Sequence, residues 1–354
     1  MHMPDTMKSF LKKVRVSTLV YALLILAVLF FSVSLIAVYV FPESNRFTAQ
    51  LRDSVPYPAV IISYRDGITY RTLGENMDAI KRFYETQDFS GVGLRVDFST
   101  DEGKNRFKVR EKEVINKMIE DKSIQLLARE RGIGVSQEEA SQSIARKLEE
   151  YGTGEEVKKD LERLYGWTLA DFEEKIVIPS LYQQKLQASF EKEVDTAAAG
   201  KKTIGLAQEA LRAGTSFADA AKQHSEGQTA DNGGALGWFT LEDLAQELRQ
   251  SVTLQKVGVP GDVIESGLGF HIVLVEEVRT EDQKKLYRLS QIFARKVTFA
   301  DWLSEKMRGL PITVLSPEYR WNKEEARVEF KTEKLIDFEK EILKKSDGDA
   351  AFFF

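Results

Sequence analysis

The chain offers few side chains for covalent or metal chemistry. It has no cysteine, and its three histidines are His2, His224 and His271. Disulfides, thiol nucleophiles and cysteine-based metal sites are excluded. Three dispersed histidines make no His-rich cluster, so neither a metal nor a cofactor is expected. His271 stands in Gly269-Phe270-His271-Ile272-Val273-Leu274-Val275, which reads as an apolar strand with the imidazole near its start. A lone strand histidine beside a turn is more often structural than catalytic. Its neighbours must therefore decide its role. The charges, 50 Lys+Arg against 55 Asp+Glu, are interspersed and sum to -5. That leaves no basic footprint for nucleic acid.

The strand closes the most informative stretch, Leu206 to Val278. It contains AGTSFADAAKQHSEG, NGGALGWF and VGVPGDVIESGLGFHIVLVEEV, and Gly233 to Phe239 reads as a turn into a short strand. In this order and spacing the runs resemble the parvulin-type (PpiC) peptidyl-prolyl isomerase domain, whose usual pattern is AGxxFxxxAxxxSxD, GGDLGWF, then GxVSxPVxTxxGxHIIxV. The resemblance implies an α+β unit: a four-stranded antiparallel sheet with flanking helices, and an apolar slot for a proline ring. Rotation about an X–Pro bond meets a barrier of about 18–20 kcal/mol. Lowering it needs a tight apolar grip, exclusion of water and hydrogen bonds favouring the twisted imide.

Carried across position by position, the resemblance places Leu236 on the groove Leu, Leu244 on the groove Met and Leu248 on the groove Phe. Phe239 and Phe270 join these as substrate-binding candidates. His271 falls on the second of two family histidines. The first would be Gln291. The family Cys or Asp after Ser-x corresponds to Gly227, and the Asp of GGDLG to Ala235. Gln291 can donate and accept hydrogen bonds but cannot share a proton with His271. The candidate catalytic pair is thus His271 and Gln291, with the apolar slot kept and two ionisable groups lost. The expected outcome is peptide binding with slow or absent isomerisation.

The elements that must hold these residues depart from the family in one place. A parvulin domain opens with a central strand, but Val194 to Gly200 is poor in β-branched and aromatic residues and reads as a linker. After the His271 strand and a polar turn, Lys285 to Lys296 alternates apolar and polar and resembles the missing strand. Two readings follow. Either the domain is circularly permuted, with Leu286 to Lys296 in the central slot, or this segment forms an edge strand and another fills the slot. The permuted arrangement is the expectation, and strand order separates the two.

Upstream, Val16 to Phe41 carries no charged residue. At about 1.5 Å per residue it spans a hydrocarbon core of about 30 Å. Lys8, Lys12, Lys13 and Arg15 precede it, so the positive-inside rule puts the N-terminus in the cytoplasm and the bulk of the chain outside. Beyond it, helical periodicity is expected over Thr69 to Phe83 and Phe107 to Arg131. A capping box at Ser136 and Glu139 starts another helix, and more follow over 154–165 and 169–194. The runs LLARERGIGVSQEEASQSI and LYGWTLADFEEKI resemble the N-terminal chaperone domain of SurA-like foldases. Anchor, helical lobe and parvulin-like unit together resemble a membrane-tethered PpiD/PrsA-type foldase.

The expected plan is a cytoplasmic tail (1–15), a transmembrane helix (16–41), a helical chaperone domain (55–195) with a return segment (298–330), a parvulin-like domain (201–296), and a C-terminal helix and tail (331–354). The function implied is an extracytoplasmic, single-pass bacterial membrane chaperone whose partners are unfolded or newly exported polypeptides and the lipid bilayer. An active prolyl isomerase and a non-chaperone envelope scaffold are the alternatives.

Overall fold

The computed structural model describes residues 16–40, 46–64, 66–87, 97–151 and 154–345. The expected N-terminal tail and the Phe352-Phe353-Phe354 end lie outside them. The chain divides into two units, one of residues 1–186 with 304–354 and one of residues 187–303.

The first unit opens with α1 (Val16–Val40), 25 residues without a charge. Its stretch Val20–Val40 has a mean hydropathy of 2.8, and by length and composition alone it is sufficient to cross a membrane. The last turns of α1 are packed rather than free. Ser34 shares a 2.5 Å hydrogen bond with the Tyr57 hydroxyl, and Tyr39 donates to the Pro58 carbonyl at 3.0 Å. Arg52, on α2 (Arg46–Ser54), donates to the Val38 carbonyl at 2.8 Å. That satisfies one of the carbonyls a helix leaves open at its C-terminus.

Strands β1 (Pro58–Ile62) and β2 (Asp66–Thr69) form a hairpin, and Thr69 caps α3 (Tyr70–Thr86). Helix α4 (Asp101–Glu130) begins six residues before the expected Phe107. The reason is Thr100, which accepts from the Gly103 amide, with Asp101 and Glu102 complementing the first-turn dipole. The Ser136–Glu139 capping box forms as expected. Glu139 accepts from the Ser136 amide at 2.8 Å and its own amide donates back to Ser136 at 3.2 Å, which starts α5 (Gln137–Tyr151). Helix α6 (Gly154–Tyr165) and the short α7 (Leu169–Phe172) follow. A π-turn, Glu173–Val177, then interrupts what the sequence reads as one helix before α8 (Ile178–Glu193) resumes. Pro179 accounts for it: proline has no N–H for the Lys175 carbonyl, and its ring crowds that carbonyl.

The second unit starts with α9 (Ala198–Arg212) and α10 (Phe217–His224). Then come β3 (Ala235–Phe239), α11 (Gln246–Leu254), β4 (Ile264–Glu265), β5 (Gly269–Glu281) and β6 (Lys284–Arg295). The four strands make one antiparallel sheet in the order β3-β6-β5-β4. The segment read as a displaced strand therefore lies inside the sheet, between β3 and β5, and not on an edge. Its turn is tighter than the expected Arg279–Lys284. Only Asp282 and Gln283, at φ 49 and 64, separate the strands, the two left-handed residues that a two-residue hairpin demands.

After α12 (Phe299–Gly309), β7 (Ile312–Val314) returns to pair with β1 in the first unit's three-stranded sheet, order β2-β1-β7. Residues 317–330, which sequence periodicity left unassigned, form the hairpin of β8 (Tyr319–Asn322) and β9 (Arg327–Phe330). Asn116 of α4 holds this hairpin edge, accepting from the Val328 amide at 2.6 Å. Helix α13 (Glu333–Lys345) is tied to α4 through Lys112, which pairs with Glu339 and lies 5.1 Å from the Phe330 ring.

Candidate active site

Strand alternation sorts the second unit's sheet into two faces. On one, Phe270, Ile272, Ile292 and Ala294 are buried against Ile204 and Ala207 of α9 and Ala220 and Ala221 of α10. On the other, Val273, Val275, Tyr287 and Leu289 pack with Leu244, Leu248 and Val252, with Leu236, Phe239, Leu241 and Ile264 around them. Leu236, Phe239, Leu244 and Leu248 thus meet in one apolar layer. Phe270 does not join them. One position from His271, it points to the opposite face, against Gly200, where a Cβ would come within 2.9 Å of its ring. The geometry thus sets it apart from the other four slot candidates.

His271 opens the same face as Val273 and is 7% exposed. Its Nε2 is 2.7 Å from the Ser266 hydroxyl, and its ring centroid is 4.9 Å from that of Phe293. Nδ1 is buried and without a hydrogen-bond partner. Burial holds the imidazole pKa below its ordinary value, opposed by the Gln291 side chain beside it and more weakly by the charge of Glu247. Gln291 approaches the ring without completing a hydrogen bond to Nδ1. In the register it lies opposite Val273, two residues along from the Phe293–His271 pair. The strand pairing thus brings His271 and Gln291 to one spot from 20 positions apart in sequence.

Ser225, Glu226 and Gly227 run along the end of β6. Glu226 donates its amide to the Phe293 carbonyl at 2.7 Å, and Ser225 accepts from the Phe293 amide at 3.0 Å. A Cβ built on Gly227 would lie 3.6 Å from Phe293 Cβ, an ordinary contact. A side chain there would be accommodated beside the aromatic ring that covers His271. Ala235 is exposed at the start of β3 and contributes no polar atom.

Three residues of the site were not singled out from sequence: Ser266, Phe293 and Lys296. The signal for Ser266 was available, because the family pattern TxxGxH sets a hydroxyl five residues before the histidine and Ser266 stands there. Lys296 holds that turn in place, donating to the Ser266 carbonyl at 2.9 Å and pairing with Glu265 at 2.8 Å. No sequence periodicity announces such a contact across the sheet.

The arrangement matches a known family. Residues 181–277 fit the model of the rotamase family described as the PPIC-type PPIASE domain. The chain carries a PPIC-type rotamase domain. Relatives of this stretch include chaperone SurA of Nitrosospira multiformis, 35% identical over 102 residues (27% of this chain and 23% of that protein). Chaperone SurA of Chromobacterium violaceum is 31% identical over 111 residues (30% and 26%). The chain thus spans about a quarter of the length of the relatives it matches. A crystal structure of the peptidylprolyl isomerase PrsA from Bacillus anthracis aligns over 67% of this chain and 98% of that one, at 16% identity and a TM-score of 0.21. The rotamase match ends at residue 277, so the inner strand β6 lies beyond it.

Proposed function

We propose that this protein is a membrane-anchored, extracytoplasmic chaperone whose rotamase domain keeps a peptide-binding surface and has lost most of its catalytic strength. The observation that carries the reading is the surroundings of His271. The imidazole has a hydroxyl on one nitrogen, a neutral amide near the ring and no second imidazole, thiol or carboxylate in hydrogen-bond contact among the described residues. The apolar layer beside it is complete, and the same unit exposes further apolar side chains, Leu254 and Leu268 at 76% and Val257 at 48%. Burial of such side chains by a client is worth about 25 cal/mol per Å², less the cost of ordering the segment.

Similarity to proteins named chaperone SurA supports the holding role, and α1 supports the anchor. The position of β6, inside the sheet yet after the matched stretch, supports a circularly permuted domain. A second reading, an active isomerase, is favoured by the short Ser266–His271 contact. A proline-peptide isomerisation assay on the full chain in bilayers separates them. Slow or absent turnover together with suppressed aggregation of an unfolded client is the expected result. Strong turnover abolished by His271→Ala would sink the first reading.

A further inference from the structure

The first unit contains an opening with no part in the rotamase site. A cavity of about 380 Å³ lies between α3, α4 and α8, walled by Ile80, Val114, Met118, Trp167, Ile176 and Pro179. That volume falls in the range of small-ligand pockets, about 300–1,000 Å³. Its wall is open to solvent, since Ile176 is 41% exposed. The π-turn forms part of its wall. By denying Lys175 its helical partner, Pro179 widens the helix where Lys175 and Ile176 line the cavity. Turns of this kind recur at functional sites.

A second recess of about 310 Å³ adjoins it and shares Ala79, Tyr165, Trp167 and Lys175 with the first. It is lined by three acids, of which two are occupied. Glu75 pairs with Lys175 at 3.3 Å, and Asp171 caps Thr168 at 2.6 Å. The Arg82 guanidinium on its wall is engaged with the Arg163 carbonyl at 3.1 Å. In the apolar cavity Asp121 is likewise held by Lys117 at 2.9 Å. Asp78 is the exception. It lies in no ion pair among the described residues; partial burial and the nearby Asp53 raise its carboxyl pKa, and the charge of Lys81 opposes them. An acid outside any ion pair, beside an apolar cavity, is complementary to one kind of guest.

We propose that this double recess binds an extended polypeptide segment through one bulky apolar side chain in the cavity and a neighbouring basic side chain on Asp78. The inference rests on the chaperone reading only for the source of the segment. Trp167 lines both recesses and reports on occupancy. The test uses the full chain reconstituted in phosphatidylcholine bilayers and short Gly/Ser-rich peptides carrying Phe-Lys, Phe-Glu or Ala-Lys. Phe-Lys should change tryptophan emission saturably, and Trp167→Phe should remove the change. Ile176→Asp and Asp78→Lys, both at exposed positions and checked by thermal melting, should each weaken Phe-Lys about tenfold. Asp78→Lys should reverse the preference toward Phe-Glu.

Equal binding of the three peptides, or binding indifferent to both substitutions, would overturn the assignment. Aggregation of an unfolded client, measured on the same samples, keeps the two readings apart. Suppression that survives with no Trp167 response leaves the chaperone reading standing and this site refuted. A Trp167 response without suppression does the reverse.

Discussion

Burial to 7% strips His271 of the hydration an imidazolium needs, and the hydroxyl at Nε2 does not replace a charge partner. Between its lowered native pKa and the unfolded value of about 6.5, the unfolded chain binds the proton more readily. The second unit should therefore lose stability as pH falls through that window and be unaffected above it. Denaturant midpoints across the range, compared with His271→Gln, check this, and the variant should show a flatter profile. The missing partners can also be restored. Gly227→Asp meets only ordinary contacts, and Gln291→His would put an imidazole where an amide now approaches the ring. Together they should raise prolyl isomerisation by about tenfold or more. No gain from a folded double variant would mean that the site is limited by something other than these two positions.

Hairpins and buried ion pairs fix how the elements meet, and one of each makes a measurable prediction. Gln283 holds a left-handed φ of 64 in the β5–β6 turn, a conformation that costs a residue with a Cβ about 1 kcal/mol relative to glycine. Gln283→Gly should stabilise the second unit by about that amount in a denaturant melt. Lys112 is buried between α4 and α13, with Glu339 and Phe330 as its partners. Lys112→Ala should cost the first unit about 3 kcal/mol by stranding a carboxylate.

The same level shows what sequence could and could not supply. The Ser136 box and the alternation in Leu286 to Lys296 are local signals, and the structure places an element at each. The early start of α4 depended on one threonine inside a polar run. The π-turn depended on a proline within an otherwise good helical pattern. Phe270 stands apart from the other slot candidates because strand pleating sends it to the face opposite its neighbour His271. Lys296 reaches the Ser266 turn through pairing between distant segments, which no spacing rule encodes.

At the scale of the molecule, α1 enters the first unit without a break, since Ser34, Tyr39 and Val38 are already bonded to residues of that unit. If α1 spans the bilayer as proposed, the unit sits on the outer side. The absence of cysteine makes this easy to check. Glu325→Cys, at an exposed position between β8 and β9, should react in intact cells with a membrane-impermeant maleimide, against no background from the parent chain. Labelling only after lysis would reverse the topology. The order of strands in the second unit has its own bearing on synthesis. Of its two inner strands, β6 is also the last to emerge from the ribosome, so β3 has no partner and β5 has only β4 until residue 295 is out. Closure then waits on a two-residue turn, a step of about 1–10 μs. The nascent domain should stay protease-sensitive through most of its translation and become resistant abruptly at the end.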